Sequence, residues 1–289
     1  MPLLINADDF GLTPGVNRSI VALHRAGVLS SATLMATGAF FDDAVALARS
    51  VPTLEVGCHV VLVDGSPALP AEQIPSLCPD GQLFRPKLGR FAADLHLSRI
   101  RPDEIEAEAS AQIRRLRQAG VRVSHVDTHK HTHLFPRVLR PLLQAARACG
   151  VPAIRNPFEP AWAVRATAGA SALRRLQISF LGTHRRSFLR QVQQAGLVTP
   201  AGTLGVLATG TADVPGALAS LLAALPGGAE MWELVCHPGY LDEHLDRAAT
   251  RLRASRAQEH AALLEQIPRA GVKLSAWREL RGTAPAPPA

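Results

Sequence analysis

Residues 3–26 read LLINADDFGLTPGVNRSIVALHRA, and the order of their chemistry decides the fold class. Leu3 to Ala7 is a short apolar run stopped by Asp8 and Asp9. A Gly-Leu-Thr-Pro-Gly turn follows, and Val16 to Ala26 places Val16, Ile20 and Leu23 at helical spacing. The unit is strand, loop, helix. Working outward, the alternation returns: Ala32–Ala36 before Phe41–Arg49, Leu54–Leu62 ahead of the helical Glu104–Gln118, and Val121–Val126 before Pro136–Ala148. Val151–Ile154 precedes an arginine-rich helical region reaching Gln191. Leu204–Leu207 leads to Ala217–Leu225, Met231–Val235 to a helix over Leu241–Gln266, and Val272–Leu274 closes the series. About eight strand candidates separated mostly by helices predict a parallel α/β sheet closed as a (β/α) barrel or a distorted barrel. An open doubly wound sheet is the other arrangement.

The expected organisation is a single domain over 1–281, followed by a disordered Pro/Ala-rich tail over 282–289. Residues 64–101 hold five prolines without a sustained period, the pattern of a substrate lid. With 289 residues, 47 % hydrophobic and 19 % charged, the chain can bury a sizeable core, and its apolar runs are far shorter than a membrane span. Disordered and fibrous classes are excluded. The net charge of +7 is almost all arginine, since Lys87, Lys130 and Lys273 are the only lysines, and a single Tyr is available to stack on a base. No nucleic-acid partner is expected. Cys58, Cys78, Cys149 and Cys236 form no CxxC pair, so they read as buried thiols. The opening residues lack a signal-peptide pattern, and a cytoplasmic location is expected.

Position singles out the polar residues. Asp8 and Asp9 follow the first strand, His59 lies late in the third, and Asp127 and His129 follow the fourth. Arg155 follows the fifth strand and His237 the seventh. In a parallel barrel these strand ends share one mouth. Taken singly, paired aspartates can cap a turn and a lone His59 can be a hydrogen-bonded core residue. From Ser124 to His133 four histidines and an aspartate alternate, and an extended chain would put His125, Asp127, His129, His131 and His133 on one side. Imidazole plus carboxylate without thiolate suits one divalent ion, zinc or a harder ion such as magnesium or manganese. A catalytic ion keeps an open position for water.

Asn6-Ala7-Asp8-Asp9-Phe10-Gly11, Val56-Gly57-Cys58-His59, the run His125 to His133, and Glu233-Leu234-Val235-Cys236-His237-Pro238-Gly239-Tyr240 together resemble the YdjC-type carbohydrate deacetylases. The resemblance runs from residue 3 to about residue 276. It implies a barrel-like fold, hydrolysis of N-acetyl groups on amino sugars, and a metal ion, Mg or Zn, held by Asp9, His59 and His129. Asp8 then matches the base and His237 the general acid. Asp127, His131, His133, Arg155 and Glu233 are candidates for substrate contact or for orienting the catalytic groups, with Arg155 as a clamp on Asp8 or on substrate oxygen. His129-Lys130-His131 and Ile154-Arg155-Asn156-Pro157-Phe158-Glu159-Pro160 look most like the subgroup associated with hopanoid biosynthesis, which implies a lipid-linked substrate and a peripheral contact with the inner membrane face. His237-Pro238-Gly239-Tyr240 is as close to chitooligosaccharide deacetylases of soluble sugars. Leu173 to Arg190 reads either as a packed helix with a solvated arginine face or as a segment resting on anionic lipid. A metal-dependent hydrolase of another bond and a non-catalytic metal- or sugar-binding barrel are the competing readings.

Overall fold

The computed structural model describes residues 2–248, 250 and 252–282; residues 283–289 of the expected tail lie outside the described residues. Its elements run β1 (Pro2–Phe10), α1 (Pro14–Arg25), β2 (Ser31–Leu34), α2 (Phe41–Ser50), β3 (Glu55–Val60), α3 (Leu88–His96), α4 (Pro102–Gln118) and β4 (Val123–Thr128). There follow α5 (Pro136–Ala148), α6 (Ala161–Ala166), α7 (Ala172–Leu181), α8 (Arg185–Gln194), β5 (Thr203–Leu204), α9 (Val214–Ala223), β6 (Trp232–Cys236), α10 (Glu243–Arg247), α11 (Arg253–Arg269) and β7 (Lys273–Leu274). The first unit forms as its residue types require. Thr13 accepts the Val16 amide as N-cap and Pro14 fits the first turn, while Val16, Ile20 and Leu23 bury one helix face.

All ladders are parallel, in the order β4-β3-β2-β1-β6-β5, with β7 paired to the start of β1. The sheet curls until its edges approach. The segment 153–158 joins them through bridges from Ile154 to Val126 and from Ala153 to Val198, and through the Thr203 amide donating to the Phe158 carbonyl. This is a distorted barrel, not an open doubly wound sheet.

Two of the eight expected strands are much reduced. Val151–Ile154 contributes only isolated bridges. Leu204–Leu207 shrinks to Thr203–Leu204 because the Gly205 and Leu207 amides leave the sheet to donate to the buried Glu159 carboxylate, at 2.9 and 2.8 Å. The stretch 64–101 is pinned down: Glu108 accepts the Ala68 and Leu69 amides and Glu104 the Ser76 amide, both from α4.

The alternation of β1 divides its side chains between two environments. Leu3, Ile5 and Ala7 join the main apolar core beneath the helices, whereas Leu4 packs with Ala153, Met231, Trp277 and Leu280 in a separate cluster that plugs the barrel floor. Above that plug the lining turns polar. The Trp277 indole donates to Ser31, Ser31 donates to Asn6, and the Asn6 amide donates to Asp8. Successive inward positions of one strand thus climb from plug to site.

Candidate metal centre at the barrel mouth

The pairing register of β1 slips between Ala7 and Phe10, and Asp9 adopts φ 64°. A short polar residue tolerates this left-handed backbone, which turns two adjacent aspartates toward different partners. Asp8 continues the inward row. Asp9 swings to the rim.

There, Asp9 Oδ1 lies 3.5 Å from His59 Nε2 and 3.5 Å from His129 Nδ1, and the two imidazole nitrogens are 3.4 Å apart. Three donor atoms with nearly equal spacings form a triangle. For an ion bound tetrahedrally at 2.0–2.1 Å, donors sit roughly 3.3–3.4 Å apart, so one carboxylate oxygen and two imidazoles fit a single divalent ion. A second group of possible ligands, Asp8, His59 and Asp127, is already taken up by protein contacts. His59 links the two groups: its Nδ1 faces Asp127 Oδ1 at 2.7 Å, which leaves Nε2 for the triangle. Burial works against the His59 cation, but the Asp127 carboxylate outweighs it and pushes the group up to about 9.

Arg155 is the hub of the layer beneath, fully buried. Its guanidinium grips both oxygens of Asp8 at 2.8 and 2.7 Å, touches Asp127 at 2.5 Å, and donates to Glu233 at 2.7 Å. Thr33, 3.3 Å from Asp8 and 3.2 Å from Asp127, completes the cage. One cation cannot neutralise three carboxylates, and the burden is divided by geometry. Burial raises the Asp8 carboxyl, but the bidentate guanidinium outweighs it and holds the group well below the usual range. At Glu233 burial prevails over Arg155, and the group is pushed up to about 7.

His237 follows β6 and brings Nε2 to 3.7 Å from Asp8 Oδ2. Two side chains of α11 fix this rim, and neither was singled out from the sequence. Glu259 accepts the His237 amide. Arg256, itself buried, donates to the His237 carbonyl at 3.4 Å and to Asp9 Oδ2 at 2.5 Å. Burial raises the Asp9 carboxyl, but the Arg256 charge outweighs it and holds the group well below the usual range. With Oδ2 occupied, Asp9 offers Oδ1 alone to the triangle. Arg256 and Glu259 stand three apart in an otherwise arginine-rich, outwardly ordinary helix, so only helix phase hinted that they shared a face.

The histidine run does not stay on one side. β4 ends at Thr128, and residues 129–134 wind into a tight turn with Lys130 and His131 at φ 56° and 51°. Alternation therefore stops before His129. Lys130 ties this turn to Asp64 at 2.6 Å. His125 lies below the site, stacked on Trp277 at 3.8 Å. His133 is buried with Nδ1 2.6 Å from Thr128 Oγ1, and burial holds both His125 and His133 well below their ordinary value. His131 stands beside His133, with burial lowering it to about 3. These three are neutral imidazoles outside the triangle.

The YdjC-like protein family profile matches residues 2–273. Among curated relatives, a carbohydrate deacetylase of Brevibacillus brevis is 45 % identical over 159 residues, covering 55 % of this chain and 60 % of that protein. A chitooligosaccharide deacetylase of Salmonella typhimurium is 36 % identical over 151 residues, covering 52 % of this chain and 57 % of that protein. The chain thus spans a little over half the length of the curated relatives it matches. Among solved structures, an Enterococcus faecalis V583 protein titled a candidate cellobiose-phosphate cleavage protein superposes with a TM-score of 0.74 at 27 % identity, over 96 % of this chain and 98 % of that one.

Proposed function

The chain belongs to the YdjC-like protein family, and from that premise we propose that it hydrolyses the N-acetyl group of an N-acetylglucosamine-type sugar with one bound divalent ion, Mg or Zn. The observation that carries the reading is the triangle of Asp9, His59 and His129 beside an Arg155-bound Asp8 and a His237 facing it. Asp9, His59 and His129 would hold the ion, which when bound supplies Lewis acidity and lowers the pKa of water.

The remaining chemistry belongs to the chain. Asp8 is ionised at any working pH, and its Oδ2, turned toward His237, takes the proton of the attacking water. Because Arg155 holds Asp8 so far below the usual carboxylate range, the proton does not rest there. His237 passes a proton to the departing nitrogen, which leaves as an amine and not as its anion. The water oxygen bonds to the acetyl carbon, the C–N bond breaks, and acetate and free amino sugar result.

Asp127 orients His59, Glu233 braces Arg155, and the turn carrying His131 and His133 shapes the rim. Two acceptors fit this chemistry. The lipid-linked sugar rests on the likeness of residues 154–160 to the hopanoid-associated subgroup, and the soluble oligosaccharide on the Salmonella relative.

Acetate release from N-acetylglucosaminyl hopanoid and from diacetylchitobiose, each with a chelated control, tests the proposal. Chelator-sensitive release from one identifies the acceptor, and release from neither refutes the reading. Asp8→Asn should lower turnover by at least about a hundredfold with the ion still bound. Unchanged turnover would remove Asp8 as base.

A further inference from the structure

The connection between segment 153–158 and β5 carries the charge of the molecule. From Pro160 to Ala212 there are six arginines and no Asp or Glu, and the remaining 25 Lys and Arg nearly cancel the 24 Asp and Glu of the chain. Within this stretch α7 buries none of its residues. Leu173, Leu176 and Phe180 are 67, 67 and 68 % exposed, among the most exposed large apolar side chains of the described residues. At 100° per residue they fall within about 60° of one another and form a single ridge. Arg175, on the opposite side, donates to the Val164, Arg165 and Thr167 carbonyls, which holds the helix against the end of α6 with the ridge outward. Arg165, Arg174, Arg185, Arg186 and Arg190 are exposed around it.

We propose that the α7 ridge and its surrounding arginines form a docking surface for an anionic lipid bilayer. Apolar side chains projecting from a short helix, with guanidinium groups beside them and no Asp or Glu within residues 160–212, match an interface where acyl chains lie just beneath negative headgroups. A second copy of this chain would bring the same cations to the contact and be repelled. The inference does not rest on the proposed reaction, since binding is read on vesicles that contain no sugar.

Flotation of the whole chain with vesicles of phosphatidylglycerol and phosphatidylcholine, against phosphatidylcholine alone, is the test. Flotation with the anionic vesicles only, reversed by high salt, is expected. Leu176→Ser with Phe180→Ser, and separately Arg174→Glu with Arg186→Glu, should each weaken vesicle binding by at least about tenfold with the melting temperature unchanged. No flotation of the unaltered chain on anionic vesicles would overturn the proposal, as would equal flotation on neutral ones or variants that bind as well as the parent. Retention on an acidic polypeptide column without vesicle binding would also overturn it, in favour of a protein partner.

Discussion

Replacing Arg155 with Met keeps most of the side-chain volume and removes the one cation shared by Asp8, Asp127 and Glu233. All four side chains are at most 3 % exposed, so solvent cannot substitute for the guanidinium. Deleting one partner of a buried ion pair costs about 3–5 kcal/mol, because the charge left behind has neither partner nor water. At about 2–4 °C per kcal/mol for a chain of this size, the melting temperature should fall by roughly 6–20 °C at pH 7.5.

The pH dependence separates this cause from simple loss of packing. Without Arg155 the folded-state value of Asp8 rises above its unfolded one, because burial is then no longer outweighed by the guanidinium. The folded variant then holds protons that the unfolded chain releases, and the variant gains stability relative to the parent as pH falls. Each carboxylate that takes a proton only in the variant narrows the deficit by about 1.4 kcal/mol per pH unit. Urea unfolding of both proteins at pH 7.5 and pH 5 measures this directly. A deficit below about 1 kcal/mol, or one that is the same at both pH values, would refute the reasoning.

Three further outcomes follow from other contacts. Arg256→Ala frees Asp9 Oδ2 and should weaken affinity for the divalent ion about 10–100-fold by titration calorimetry; unchanged affinity would show that Arg256 does not set the ligand. Glu233, pushed up to about 7, keeps its proton in the folded chain where the unfolded chain has lost it, so it contributes stability below about pH 4.5 that is lost as pH rises through 7. Glu233→Gln lacks that loss, and its stability relative to the parent should climb between pH 5 and 7 in urea titrations; a decline would contradict the assignment. A Cβ at Gly57 would lie 2.6 Å from the His125 ring, which is stacked on Trp277 and cannot retreat. Gly57→Ala should therefore cost about 1–3 kcal/mol in thermal unfolding, and a neutral result would mean that the barrel floor yields.

The shape of the site explains a division of labour between its two layers. The lower one, Arg155 with its three carboxylates, is sealed and internally bonded, so it supplies rigidity and a permanently charged Asp8. The upper layer brings Asp9 Oδ1, His59 Nε2 and His129 Nδ1 together at the rim, with the Asp9 carboxylate facing both imidazoles. Arg256 holds that carboxylate from behind, at Oδ2.

Residues 3–26 by themselves determined a strand, a turn and a helix, because apolar spacing and capping chemistry are local. Repetition of that unit determined a parallel α/β sheet with Asp8, Asp9, His59, Asp127, Arg155 and His237 at or near strand ends, whereas the curl that gives them a shared mouth, against an open doubly wound sheet, was decided by the tertiary structure. What periodicity could not determine was where alternation stops. The turn at Lys130 and His131 is a backbone choice stabilised by a tie to Asp64, 66 residues away, and it sends His129 to the triangle but His133 into the core. Val151–Ile154 looks like a strand locally, yet becomes a connector because the sheet curls and its edges need a bridge. Arg256 and Glu259 carry no local signature at all. They matter because α11 packs against the loop after β6, and the contacts of this helix face with His237, 19 and 22 residues earlier, exist only in three dimensions.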